Sequence, residues 1–295
     1  MTSLILSRTT TWDAPRPGRA PGRPAALLWL LPLLLLLGLF CLAPLGWVVW
    51  HAVWSPDGFT LSRFASILDS PFYRQAFGKS LWLSGCSSLA GLLIAGVGAA
   101  ALTRVPGRWR DAVIAFTNMS SNMAGVPLAF AFIVILGTNG AITLMARQWW
   151  GIELFDLYSM NGLLLLYIYF QLPLALLLLY PAFDNLQPQW QEAAALLGAS
   201  PWQILRHITL PILAPALLGT FILLFANAMG AYASAYALTL GNINLLTIRI
   251  ASLVSGDLFP DPELAAALCV LLLLILALIC WGNQLLMGRF HYANR

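Results

Sequence analysis

Charged side chains are scarce in this sequence. Asp, Glu, Lys and Arg make up 9% of its 295 residues against 60% hydrophobic ones, and the mean hydropathy is +0.81. A soluble domain carries roughly 25% charged residues. A water-facing surface cannot be built from so few, so lipid must solvate much of this chain. An ordinary soluble protein is excluded. The formal net charge of +4 does not signal a nucleic-acid partner, because the basic residues sit in loops, where they set membrane topology.

Other chemistry is missing as well. The four cysteines, Cys41, Cys86, Cys269 and Cys280, lie in apolar runs without the close Cys/His spacing of a zinc site. They read as small packing residues, and no metal site is expected. The three histidines, His51, His207 and His291, fall outside or at the edges of the apolar runs. There is no H-E-x-x-H and no G-x-S-x-G, so an intramembrane enzyme of those kinds is excluded and no catalytic residue is assigned. No G-x-x-x-x-G-K-[ST] phosphate loop is present, so any ATP hydrolysis belongs to another subunit.

What is present is a set of six apolar runs, each near the roughly 20 residues that cross a bilayer as a helix. They are Ala25–Trp50, Ser80–Thr103, Ala112–Leu136, Gly162–Tyr180, Ile212–Tyr236 and Leu264–Leu286, and none contains Asp, Glu, Lys or Arg. The first is too long for the apolar part of a signal peptide and lacks a small-residue cleavage site, so it is kept as a span. The fold class is therefore all-α, a polytopic membrane protein with six transmembrane helices. Residues 1–24, rich in Arg, Pro, Thr and Gly, read as a disordered cytoplasmic tail. The first helix is 25–50, and 80–286 forms the core of five helices. An ion-driven secondary transporter is a distant alternative, since such carriers place ionisable groups near the midplane.

With six spans the termini share a side, which holds ten basic residues (8, 16, 19, 23, 104, 108, 110, 206, 289 and 295) against five opposite (63, 74, 79, 147 and 249). Acidic residues divide four to seven in the other sense. The positive-inside rule puts both termini in the cytoplasm, and Trp149 and Trp150 then fall in an outer loop as interfacial anchors. Gly91, Ala95 and Ala99, with Gly96 and Ala100 beside them, give the second span a small face for close helix approach. The third span is interrupted by Asn118, Ser120, Ser121, Asn122, Gly125 and Pro127. Polar groups at membrane depth must face protein or a water-filled path. Asn118, Ser121 and Asn122 are therefore candidate pore-lining residues, joined in the fifth span by Asn227 and Tyr232. Interhelical hydrogen bonding explains the same residues equally well.

The segment 184–211, DNLQPQWQEAAALLGASPWQILRHITLP, is too polar to be buried in lipid. Glu192–Leu197 are helix formers, Gly198 suits a helix C-terminus, and Ser200-Pro201 restarts a helix with Ser as N-cap and Pro first inside. The pattern predicts two short cytoplasmic helices with a glycine bend, the second ending at Leu210-Pro211 before the fifth span. Glu192-Ala193-Ala194, Gly198, Ile208, Leu210 and Pro211 resemble, at every fixed position and both spacings, the Glu-Ala-Ala motif of binding-protein-dependent (type I) ABC importer permeases of the bacterial inner membrane. The resemblance implies that this loop is the coupling helix docking on an ATPase, with Glu192 as acidic contact and Gly198 as bend. It also implies the partners: an ATP-binding-cassette ATPase dimer that supplies ATP and magnesium chemistry, a second and non-identical permease subunit, and a periplasmic or lipid-anchored substrate-binding protein. No cofactor is expected in this chain.

A finer resemblance lies in Gly137–Thr143, similar to a Phe-Gly-x-x-Gly-Leu-x-Thr region of spermidine/putrescine, iron(III), phosphonate and sulfate permeases, with Leu136 for Phe. Gly230-Ala231-Tyr232 and Ala235–Leu238 resemble the polyamine-type branch, which implies a small organic cation as solute. Packing explains this segment too, with Tyr232 and Tyr236 near the outer interface. The topology is checked by reporter fusions after Arg23 and after Arg289. Both should read cytoplasmic, and a periplasmic signal from either overturns the six-span reading.

Overall fold

The computed structural model describes residues 23–55, 58–152, 155–255 and 260–293, with side-chain surroundings described within 30–285. Residues 1–22 of the expected tail, and Asp57, Glu153, Asp257 and Arg295 of the charge count, lie outside the described residues. Two compact units divide between Trp47 and Val48. In the first, helix α1 (Arg23–Leu37) runs through a π-turn (Gly38–Leu42) into α2 (Ala43–Val53). The leucines from 30 to 37 are exposed, as lipid contact requires. Pro44 has no N–H and its ring crowds the carbonyl four residues back. The turn widens accordingly, and Ala43 N–H bonds Gly38 O.

The second unit begins in the last turns of α2. A short antiparallel pair, β1 (Trp54–Ser55) and β2 (Gly58–Phe59), leads to α3 (Ser62–Asp69), α4 (Pro71–Leu102), α5 (Gly107–Ser121), α6 (Val126–Leu136), α7 (Ala141–Trp150) and α8 (Met160–Asp184). Then follow α9 (Pro188–Leu196), α10 (Pro201–Ile204), a second π-turn (Leu205–Thr209), α11 (Leu210–Gly230), α12 (Ala233–Thr239), α13 (Leu246–Ser255) and α14 (Pro262–Ala293). Among the described residues, six stretches are long and apolar enough to cross a membrane: Leu30–Val53, Pro71–Leu102, Val126–Trp150, Met160–Asp184, Pro201–Gly230 and Pro262–Leu285.

Two of the expected spans are corrected. The run Ala112–Leu136 is two helices, α5 and α6, separated at 122–125, and the third long apolar stretch continues past it as α7 after the turn Gly137–Gly140. A Cβ at Gly137 would come within 2.4 Å of Ile133 O, and one at Gly140 within 2.6 Å of Ile135 O, so this turn has room only for glycine. The run Ile212–Tyr236 likewise stops at Gly230, and α12 starts a new helix after Ala231 and Tyr232.

The small face of α4 packs where the sequence places it. Ala95 and Ala99 are buried with Ala175, Leu179 and Leu224, and a Cβ on Gly91 would sit 3.4 Å from Gln171 Cβ. Close approach brings two polar groups together inside the bundle. Fully buried Gln171 donates from Nε2 to Ser87 Oγ at 2.7 Å and accepts from Ser88 Oγ at 3.1 Å. At the other face of α8, Leu163, Leu166, Tyr167 and Phe170 pack with Leu128, Ala129, Ala228, Ala235 and Leu238. Arg63 of α3 pairs with Glu263 of α14 and donates to the carbonyls of His51 and Trp54, both at 3.1 Å.

The two helix breaks meet. Gly125, with φ of +86°, donates its N–H to Ser234 Oγ at 3.0 Å. Tyr167 Oη donates to Ala231 O at 2.7 Å, satisfying a carbonyl that the end of α11 leaves free. Tyr167→Phe should therefore strand a buried acceptor and cost about 1–3 kcal/mol. Thermal unfolding of the detergent-solubilised protein checks this, and an unchanged midpoint would show that the carbonyl has found another donor.

Candidate functional site

The segment from α9 to the start of α11 is built by local rules. Helix α9 ends in a Schellman motif: Gly198 N–H bonds Ala195 O at 3.0 Å and Ala199 N–H bonds Ala194 O at 3.1 Å. That motif requires a left-handed residue, and Gly198 has φ of +83°. The next helix opens with a capping box. Ser200 Oγ accepts from Gln203 N–H at 3.4 Å, and Gln203 Oε1 accepts from Ser200 N–H at 2.7 Å.

The expected stop at Leu210-Pro211 is absent. The helix from Pro201 passes through the π-turn and continues as α11, so Ile208 lies in the turn and Pro211 in the first turn of α11. Pro211 cannot donate to His207 O and would crowd it. The widened turn, with Leu210 N–H on Leu205 O, absorbs that conflict. Both π-turns lie at the same spacing before a proline.

Glu192 and Ala193 are exposed on α9 and Ala194 is half-buried. Leu196 and Leu197 are 88% and 89% exposed, an unusual position for two leucines outside an apolar span. No heavy atom lies within 4 Å of where a Cβ on Gly198 would be. Between the loop and the ends of α4 and α8 is a cavity of about 630 Å³ lined in part by Thr103, Arg104, Asp184, Gln191 and Thr209. The arrangement is an outstretched elbow, presenting apolar side chains and one carboxylate.

The second assembly is the junction of the broken helices. The eleven residues of α6 rise about 16 Å, so the break at Gly125 and the turn at Gly137–Gly140 are separated by about half the thickness of a hydrocarbon layer. Ser234 and Ala231 join this break through the bonds to Gly125 and Tyr167. Tyr232 and Tyr236 follow directly on the end of α11. Asn118 and Asn122 at the end of α5, Asn227 near the end of α11 and Tyr232 are exposed on this subunit, and Ser121 is half-buried. Asn122 Nδ2 and Ser121 Oγ both donate to Asn118 O, at 2.9 and 2.8 Å. The structure thus groups Asn118, Ser121 and Asn122 within one break, and Asn227 and Tyr232 at the other.

Tyr167 and Ser234 escaped sequence reasoning. Their only signal was a hydroxyl in an otherwise apolar run. Among the described residues no group of His, Cys, Asp and Glu is arranged to hold a metal.

Several known proteins are similar to this chain. The ferric transport system permease protein of Actinobacillus pleuropneumoniae is 22% identical over 266 residues, 90% of this chain and 38% of that protein. The thiamine transport system permease protein of Escherichia coli K12 is 28% identical over 217 residues, 72% of this chain and 39% of that protein. The chain spans 38% to 54% of the first curated relatives. Among solved structures, a chain of a bacterial ABC transporter importing alginate matches with a TM-score of 0.72 at 17% identity, over 90% of this chain and 95% of that one. That likeness establishes the fold. Residues 88–287, more than half the chain, match the model of the binding-protein-dependent transport system inner membrane component, and to that family the chain belongs.

Proposed function

We propose that this protein is the membrane permease subunit of an ATP-driven importer, with both termini in the cytoplasm of a bacterial inner-membrane complex. One observation carries the reading. The exposed Glu-Ala-Ala elbow is continuous, through the second π-turn, with a helix that ends at the junction of the two helix breaks. A force applied at the elbow is delivered where a solute would pass.

In this reading an ATPase dimer docks on Glu192, Leu196 and Leu197 and supplies the nucleotide chemistry. A binding protein delivers the solute from outside, and a second, non-identical membrane subunit completes the path. ATP binding would favour one of two arrangements of the helices, and that differential affinity moves the path between its inward and outward openings.

The solute proposed is a small organic cation of the polyamine type. Its support is the Gly230–Leu238 resemblance and the absence of ionisable groups from the spans. Relatives named for iron and thiamine set the other arms of an uptake assay. An ion-driven carrier is disfavoured by the same absence.

Gly198→Val forces a β-branched residue into a left-handed conformation at about 1–2 kcal/mol. Nothing crowds the site, so the cost is confined to the backbone of the elbow. Glu192→Ala removes a charged contact worth about 2–5 kcal/mol in a desolvated pair. Both variants should insert at normal levels, yet solute-stimulated ATP hydrolysis and uptake by the complex should fall at least about tenfold. The isolated chain should hydrolyse no ATP. If both variants transport like the parent, the elbow is only a linker.

A further inference from the structure

We propose that Tyr232 and Tyr236, with the carbonyl end of α11 and the Asn227 amide, form an intramembrane site that holds a small organic cation in transit. The proposal rests on the importer reading above and adds the place and chemistry of solute contact. Tyr232 is the N-cap of α12 and Tyr236 lies one turn on. Their rings stack with centroids 5.4 Å apart and 28° between planes. Buried aromatic pairs serve as packing, but these are 37% and 46% exposed beside the helix break. Each ring covers one face of the other, and the exposed part of the pair is what a further partner would meet.

The electrostatics of the junction select the sign of that partner. A helix C-terminus carries partial negative charge from carbonyls without intrahelical partners. At the end of α11, Ala231 N–H folds back on Ala228 O, and no backbone N–H from the following described residues reaches Met229 O or Gly230 O. The opposing positive end, at α6, is weakened. Gly125 N–H is already given to Ser234, and Pro127 has no N–H to offer. Carbonyl oxygens and π-faces therefore predominate.

Neither Asp nor Glu lies in α11 or α12. A carboxylate would bind a cation more tightly than uncharged groups do. An aromatic face and carbonyl dipoles attract an ammonium or a delocalised heterocyclic cation more weakly, and weak binding is what passage requires. A small inorganic anion finds no compensating charge here. A hydrated metal ion finds no carboxylate or imidazole.

The test is uptake by cells of the native host in which the parent chain is replaced by variants. The probes are radiolabelled putrescine, spermidine, choline and thiamine, beside iron(III) and sulfate. The parent should take up at least one organic cation. Tyr232→Leu and Tyr236→Leu should lower its maximal rate about tenfold, with half-saturation, set by the binding protein, unchanged. Tyr232→Phe and Tyr236→Phe, which keep the rings, should stay within about twofold of the parent. Methionine variants provide the same non-aromatic test should the leucine ones fail to reach the membrane with their ATPase.

Two results overturn the site while leaving the importer intact: non-aromatic variants that carry the cation like the parent, or Phe variants that fall as far as Leu ones. Uptake of iron(III) or sulfate to the exclusion of all four cations overturns the solute class. An absence of any ATP-dependent uptake, with no ATPase co-purifying on the parent chain, overturns the importer reading itself.

Discussion

Hydrocarbon offers no hydrogen-bond partner to a backbone amide, so every interruption of a helix at membrane depth must be answered by another part of the chain. The architecture around α6, α8, α11 and α12 follows from that constraint. Helix α11 ends at Gly230, and the Tyr167 hydroxyl on α8 takes the carbonyl of Ala231. Helix α6 starts at Gly125, and the Ser234 hydroxyl on α12 takes its amide. One break is answered by the other and the second by the continuous helix α8. Irregular backbone away from water is expensive, and it persists here beside the exposed Asn227, Tyr232 and Tyr236.

The same constraint explains the seam between α4 and α8. Lipid drives helices together far less than water does, so close packing and shared polar groups must hold them. Gly91, Ala95 and Ala99 let the backbones approach, and the approach puts the Gln171 amide between Ser87 and Ser88. An amide with hydroxyls on both sides fixes the register of two long helices against sliding. Tyr167 lies one turn from Gln171 on α8, so the paired breaks can rely on that fixed reference.

Much of this was legible in the sequence. The lack of charge forces a membrane fold, and the apolar runs give the number of stretches able to cross it among the described residues. Glycine at 198 followed by Ser200-Pro201 dictates the elbow, because each residue acts on its immediate neighbours. What was not legible depends on partners distant in sequence. The hydroxyl of Tyr167 acts on a carbonyl 64 residues away and that of Ser234 on an amide 109 residues away. The run from 112 to 136 looked like one helix because its apolar content is continuous, although Gly125 adopts a conformation no regular helix contains. Leu210-Pro211 looked like a stop because proline removes a helical bond. A widened turn can absorb that loss, and no periodicity in the sequence announces one.

That widened turn has a mechanical consequence. A π-turn amounts to one extra residue in the helix, and in a free helix the excess could migrate, rotating everything beyond it by about 100° per step. Pro211 pins it, since the turn is widest where the missing N–H and the crowded carbonyl require it to be. The stretch from Pro201 to Gly230, 30 residues and about 45 Å long, is thus a shaft whose torsional register is locked. Twist applied at Pro201 is not lost to slippage before Gly230, where the helix stops.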